Sequence, residues 1–258
     1  NTIGKLLERL VLVRLQPHLT SSSSFNVFQS AYRAGHSTET ALLRIMNDAL
    51  RQMDKKCATM LVALDLSAAF DTIDHSILLR RLEYTFGVTG NALGLRHSYL
   101  LGRTQTIKVG TKTSRQYDCS VGVPQGSVLG PLLFIAFISP VARVAEFHGT
   151  GQHQYADDTS LYVSFSSVNK QQQVDRNERC LEDVRSWFNH NGLALNPEKS
   201  EVLHLCPIWQ HQPTTSVLSL NVAGSAITPS ATVKSLGVTL DTCLSFDQHV
   251  KLVCENAF

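Results

Sequence analysis

The chain has 258 residues, 43% hydrophobic and 17% charged, which is ordinary globular usage and long enough for one large core or two closely joined lobes. Its net charge of +2 excludes a strongly basic whole-chain footprint, so nucleic-acid contacts have to come from local clusters. The six cysteines, at 57, 119, 180, 206, 243 and 254, give no CxxC pair and no Cys/His set with metal spacing, and they read as reduced, intracellular thiols.

A helix is expected over Thr2 to Leu15. Lys5, Glu8, Arg9 and Arg14 interrupt its apolar positions at helical spacing, so it does not read as a signal peptide. A helix over Thr38 to Met53 precedes Thr59 to Leu66, a nearly unbroken apolar run with the character of a buried strand. Helices follow over Asp74 to Phe86, with Asp74 as N-cap, and over Asn91 to Leu101. Strands are expected at Gln105 to Val109 and Gln116 to Ser120, then an apolar helix over Val128 to Ala145. Its uncharged part, Val128 to Val141, is short for a membrane span and holds Gly130, Pro131 and Pro140. A hairpin, Gln152 to Tyr155 and Thr159 to Phe165, leads into a helix over Val168 to Asn189, with Val174, Leu181, Val184 and Phe188 on one stripe and Asn191-Gly192 as the stop. Strands at Glu201 to Cys206, Ser216 to Val222 and Ser235 to Leu240 and a helix over Asp247 to Asn256 complete a mixed α and β chain without βαβ alternation or repeat. These features place it in the cytosol or nucleus, neither secreted nor bound to a membrane.

The hairpin turn carries the chemistry. Tyr155-Ala156-Asp157-Asp158 sets two carboxylates side by side, and like charges repel unless water or a cation intervenes. Those four letters alone also read as an ordinary turn, since Asp is a common turn former. Upstream, Asp65 stands at the tip of the apolar strand, where an unpaired carboxylate is costly to bury. Three carboxylates on two strand ends would be enough to hold two divalent cations, for which hard oxygen ligands suit Mg²⁺. Two such ions, about 3.5–4 Å apart, stabilise the attacking and leaving oxygens of an in-line phosphoryl transfer.

Six blocks in order resemble the reverse transcriptase domain of a non-LTR (LINE-type, CR1/L2/jockey-like) retrotransposon: FQSAYRAGHSTETALL from Phe28, ALDLSAAFDTIDHSILL from Ala63, GVPQGSVLGPLLFIAF from Gly122, QYADDTSL from Gln154, GLALNPEKSEVLHL from Gly192 and KSLGVTL from Lys234. The resemblance implies an α+β right-hand polymerase fold, an antiparallel palm sheet backed by helices. Residues 1–58 and about 84–120 would be fingers-like, 59–83 and 121–240 palm, and 241–258 the start of a thumb. The implied activity is RNA-directed DNA polymerase, moving a nucleotide from a dNTP to a primer 3′-hydroxyl. RNA template, DNA primer and dNTPs are then the partners, with an endonuclease domain expected in the parent reading frame.

Carried over by position, Asp65 and Asp157 resemble the two Mg²⁺ ligands (Mn²⁺ being the substitute ion), and Asp158 the third carboxylate. Phe70 sits where the family places the aromatic that excludes a ribose 2′-hydroxyl, the only handle that separates the two sugars; on residues alone it equally reads as a core anchor. Gln125 and Gly126 resemble the pair bordering the incoming nucleotide and template, the bland reading being a turn before a helix; Asp71 is a further nucleotide-binding candidate that equally reads as a loop carboxylate or an additional cap. Lys199, in a loop after Asn196-Pro197-Glu198, resembles the general acid for departing pyrophosphate, although a solvated loop lysine looks the same. Arg33, Arg96, Arg103, Lys108, Lys112 and Arg115 are the candidate phosphate contacts, five of them in a stretch from Glu83 to Asp118 with no internal acid. Leu236-Gly237 is the candidate grip on the primer. The chain opens inside the first fingers block and ends where a thumb would start, so it reads as a fragment of a longer reading frame. A second function reading is a truncated remnant that keeps the fold and at most binds nucleic acid.

Overall fold

The computed structural model describes residues 2–207 and 219–257. In chain order the elements are α1 (Thr2–Thr20), α2 (Thr38–Asp54), β1 (Ala58–Ser67), α3 (His75–Tyr84), α4 (Gly90–Leu100) and four two-residue strands, β2 (Thr104–Gln105), β3 (Lys108–Val109), β4 (Lys112–Thr113) and β5 (Tyr117–Asp118). There follow α5 (Gly130–Ile138), α6 (Ala142–Phe147), β6 (Gly151–Tyr155), β7 (Asp158–Phe165), α7 (Lys170–His190) and β8 (Ala194–Leu205). The last are β9 (Leu220–Val222), β10 (Ser225–Ile227), β11 (Thr232–Ser235), β12 (Val238–Asp241) and α8 (Asp247–Ala257). Contacts divide the chain into two units: Asn1–Asn26 with Ala68–Pro140 and Asn189–Leu193, and Val27–Ser67 with Val141–Phe188 and Ala194–Phe258.

The second unit holds a four-stranded antiparallel sheet in the order β6-β7-β1-β8. Its apolar run puts β1 in the interior of that sheet, with Met60, Leu61, Val62 and Leu64 all buried. Leu42, Ile45 and Ala49 of α2 pack with Leu61, Leu203, Leu205, Val233 and Leu240 into one core. The start of α2 is fixed by a reciprocal cap in which Thr40 N–H donates to Ser37 Oγ and Ser37 N–H to Thr40 Oγ1. Along α7 the expected stripe Val174, Leu181, Val184 and Phe188 is buried.

In the first unit the apolar helix α5 is the centre, and Leu132 to Ile138 are at most 2% exposed. No side chain of its own caps α5; the Glu8 carboxylate of α1 accepts from Val128 N–H at 2.7 Å and Leu129 N–H at 3.1 Å. Asp74 caps α3 as expected, accepting from Ile77 N–H at 2.8 Å. Arg81 of α3 donates to the Phe137 carbonyl and lies over the Phe137 ring, and burial lowers its pKa to about 10.

Several boundaries differ from expectation. The helix expected over Val128 to Ala145 is interrupted by a tighter turn at Ser139–Val141, where Pro140 has no N–H for an α-helical bond. Gly130–Phe147 reaches membrane-spanning length and apolarity only with Arg143 and Glu146 included, so the uncharged part stays short, and burial of Leu132 to Ile138 gives the segment the character of a core helix. Pro17 lies inside α1, which continues to Thr20 rather than stopping at Leu15. The strand expected over Ser235 to Leu240 is a hairpin, β11 and β12, because Leu236 and Gly237 take φ of +49° and +87°, which extended backbone cannot hold. Gln105 to Val109 divides into β2 and β3, which pair with β5 and β4 in a nested ribbon. Of the strand expected over Ser216 to Val222, residues 216–218 lie outside the described residues.

Candidate active site

In the second unit, β6 and β7 pair through Tyr155 and Asp158, leaving Ala156 and Asp157 as a two-residue loop. Ala156 carries φ of +56° and Asp157 does not have a positive φ, the pattern of the type II′ turn that suits the twist of a tight hairpin. The neighbouring pairing of β1 with β7 runs to Leu64 and Thr159. One step further along each strand are Asp65 and Asp158, so all three aspartates come to one end of two adjacent strands. Their mutual repulsion is visible in Asp158, whose carboxyl is raised above its ordinary value by loss of solvent, then by the Asp157 and Asp65 charges. Asp157 and Tyr155 in turn add to the desolvation that raises the phenol of Tyr32.

β8 supplies the third side of this end. Its pairing with β1 slips between Ala63, opposite Glu201, and Asp65, opposite Asn196. Pro197 to Ser200 therefore form a bulge facing a single residue of β1, a device that re-aims side chains at sheet ends. Lys199, expected in a loop, lies in this strand and is exposed, because the bulge lets the chain stay in the sheet past Pro197. Ser200 Oγ accepts from Asp65 N–H at 3.2 Å and donates to the Asn196 carbonyl at 2.7 Å. The turn Leu236-Gly237 and Lys234 line a cavity of about 260 Å³ together with Asp158, Thr159 and Ser160. Among the described residues no group of three His, Cys, Asp or Glu side chains forms a ready-made metal cage. An all-oxygen end of this kind fits Mg²⁺, which keeps waters and substrate phosphate oxygens in its shell and needs only one or two protein carboxylates.

The first unit gathers the other candidates. Asp71 N–H closes a turn on the Ala68 carbonyl at 2.8 Å, and the segment after the ribbon docks on that turn through Val123 N–H to Phe70 O at 2.9 Å and Gly122 N–H to Ile73 O at 2.8 Å. A Cβ at Gly122 would lie 2.9 Å from the Asp71 carbonyl oxygen, and its φ is +84°, so the close approach requires glycine. Docking brings the Gln125 amide 3.4 Å from both Asp71 carboxylate oxygens. The Phe70 ring stacks on Phe134 of α5 at 4.3 Å and is half-buried, so one face anchors it while part of the side chain stays accessible.

The basic candidates separate. Lys108, Lys112 and Arg115 stand exposed on the β2 to β5 ribbon, and Arg115 lies over the Tyr117 ring. Arg103 donates to the Tyr99 carbonyl at the base of the ribbon. Arg33 is spent within its own loop, donating to the carbonyls of Val27 at 3.0 Å and Gln29 at 2.8 Å. The Arg96 side chain lies outside the described residues. Gln29, Tyr32 and Lys234 fall within the resemblance blocks but are not singled out there, since each reaches the carboxylate end only by folding.

Residues 1–240 match the family model for reverse transcriptase (RNA-dependent DNA polymerase). The chain is 28% identical over its whole length to a probable RNA-directed DNA polymerase from transposon BS of Drosophila melanogaster. It is 30% identical over 96% of its length to the RNA-directed DNA polymerase from the mobile element jockey of the same species. It spans 28% and 27% of those two proteins. Among solved structures, apo telomerase from Candida tropicalis, truncated from its C-terminal domain, superposes with a TM-score of 0.65 at 14% identity, covering 93% of this chain and 44% of that one. Telomerase from Candida albicans in complex with a telomeric RNA fragment gives 0.60 at 15% identity over 95% of this chain and 37% of that one. At such identities the likeness establishes the shared polymerase fold.

Proposed function

The chain belongs to the reverse transcriptase (RNA-dependent DNA polymerase) family, and from that premise we propose that it is the catalytic core of an RNA-directed DNA polymerase of a non-LTR retrotransposon. The observation that carries this reading is the convergence of Asp65, Asp157 and Asp158 at one end of β1 and β7. Those three carboxylates are the residues that would hold Mg²⁺. When bound, the metal supplies charge stabilisation of the attacking and leaving oxygens of nucleotidyl transfer.

The chain's own groups do the rest in this reading. Asp65 and Asp157 would hold the cation, with Asp158 as the third carboxylate, its carboxyl raised by loss of solvent and by the neighbouring Asp157 and Asp65 charges. Lys199, exposed on the β8 bulge, is the proton donor for departing pyrophosphate. Phe70, held by Phe134, faces the sugar of the incoming dNTP, with Asp71, Gln125 and Gly126 bordering it. The Leu236-Gly237 turn and Lys234 support the primer end beside Asp158. Lys108, Lys112, Arg103 and Arg115 bind the phosphates of an RNA template and DNA primer. We assign 1–58 and about 84–120 to fingers, 59–83 and 121–240 to palm and 241–258 to the start of a thumb. The parent protein would add an endonuclease domain and work in the nucleus or cytosol, away from membranes.

Primer extension on a homopolymer RNA with Mg²⁺ tests the proposal. Asp157→Asn keeps size but removes the charge, so extension should fall by roughly 10²-fold or more while the folded circular dichroism spectrum is kept. An Asp157→Asn chain that extends primers as well as the parent overturns the metal assignment.

A further inference from the structure

Gln29 is fully buried in the second unit, and its side-chain amide is committed to one residue of the carboxylate turn. Its Oε1 accepts from Ala156 N–H at 3.0 Å, and its Nε2 donates to the Ala156 carbonyl at 3.3 Å. The same oxygen accepts from Ala31 N–H at 3.0 Å, which fixes the side chain against its own loop. The flanking backbone is tied as well, with Ser30 N–H donating to Gln154 O at 2.9 Å and Gln154 N–H to Phe28 O at 3.0 Å. The Phe28 to Ala31 loop thus lies along β6 as a short parallel partner and delivers one amide to the turn.

The target of that amide is strained. Ala156 occupies the first central position of a two-residue turn at φ of +56°, where the side chain of an L-residue is unfavourable and glycine is cheapest. It is also buried, so water cannot satisfy its N–H and C=O. Without a partner, the turn would relax toward negative φ at Ala156, and that rotation would swing the adjoining peptide and the Asp157 that follows it.

We infer that Gln29 is a positioning residue for the metal-binding turn: by bonding both backbone groups of Ala156, it holds the left-handed conformation that aims Asp157. The inference rests on the metal reading of Asp157 given above. Gln29 itself touches no reacting group.

The test uses the full chain with Gln29→Met, which keeps the volume and removes both bonds, and with the Gln29→Met/Ala156→Gly double variant. Two readouts are taken: hydrogen exchange at the Ala156 amide, and Mn²⁺ affinity by electron paramagnetic resonance. Gln29→Met should speed exchange at Ala156 and weaken Mn²⁺ binding, each by roughly tenfold, as expected for losing a buried hydrogen-bonded partner. Glycine takes positive φ without help, so Ala156→Gly should restore most of the Mn²⁺ affinity in the Gln29→Met background. A residue that merely filled the core would not be rescued in this way. Unchanged Mn²⁺ affinity in Gln29→Met, or no rescue by Ala156→Gly, overturns the inference. If Gln29→Met does not fold, hydrogen exchange of the unaltered chain decides: the Ala156 amide, held by Gln29 Oε1, should exchange at least roughly tenfold slower than a free amide, and free exchange there overturns the inference. A parent chain that binds no Mn²⁺ is a failure of the metal reading, and the exchange arm still decides the clamp by itself.

Discussion

The hydroxyl of Ser200 accepts the backbone N–H of Asp65 at 3.2 Å, so a residue in the β8 bulge fixes the residue at the tip of β1. That bond sits where the β1 and β8 pairing slips, between Ala63 opposite Glu201 and Asp65 opposite Asn196. Ser200→Ala should therefore weaken primer extension by roughly fivefold while lowering stability by only about 1 kcal/mol, the usual net worth of one such bond. Steady-state extension rates and urea denaturation of the same preparation check it. Equal losses of activity and folded fraction would leave Ser200 with a packing role alone.

Phe70 has one face committed to Phe134, so Phe70→Ala has two expected effects. Loss of the stacked pair should destabilise the first unit by about 1 kcal/mol beyond the area lost. Loss of the ring beside the sugar should let ribonucleotides be incorporated, with little change in dNTP affinity. Competition between rNTP and dNTP in single-nucleotide extension measures this. Unchanged sugar discrimination would make Phe70 a core residue only.

Asp158 gives a pH prediction whose sign follows from its raised carboxyl. A folded-state pKa above the unfolded value means that the fold favours the protonated form. Its contribution is complete below the ordinary carboxyl value of 3.8 and is lost as pH rises through the raised value. At neutral pH the ionised Asp158 is therefore a burden on the metal-free protein. Because Asp158 is exposed and solvent screens its charge, Asp158→Asn should melt only slightly higher than the parent at pH 7, and the gap should close below the ordinary carboxyl pKa. Added Mg²⁺ should raise the parent more than the variant, which keeps Asp65 and Asp157 but loses the third carboxylate, and thermal melts at several pH values will read the difference.

Lys108 and Lys112 stand exposed on the ribbon, whereas Arg33 is bonded to two carbonyls of its own loop. Lys108→Ala and Lys112→Ala should each lower the slope of log affinity against log salt by about one for an RNA–DNA duplex, with folding unchanged. Arg33→Ala should instead loosen the Val27 to Arg33 loop and reduce stability. Fluorescence anisotropy at several salt concentrations, alongside melting curves, separates the two behaviours.

What was legible from sequence alone was whatever has a local signature. The apolar run ending on Asp65, the Asp157-Asp158 turn between two strand-like runs, the α7 stripe and the Asp74 cap all follow from spacing within a few residues, and their ordered blocks were enough to indicate the family. The hairpin at Leu236-Gly237 was partly hidden because a positive φ at Leu236 breaks a run that otherwise alternates like a strand. Tertiary structure alone decided that Lys199 lies on a bulge and that Gln29 bonds Ala156. The physical reason is separation along the chain. Gln29 and Ala156 are 127 residues apart and Asp65 and Ser200 are 135 apart, and a hydrogen bond between such distant partners leaves no period in either segment. Only the pairing of the strands brings them within reach.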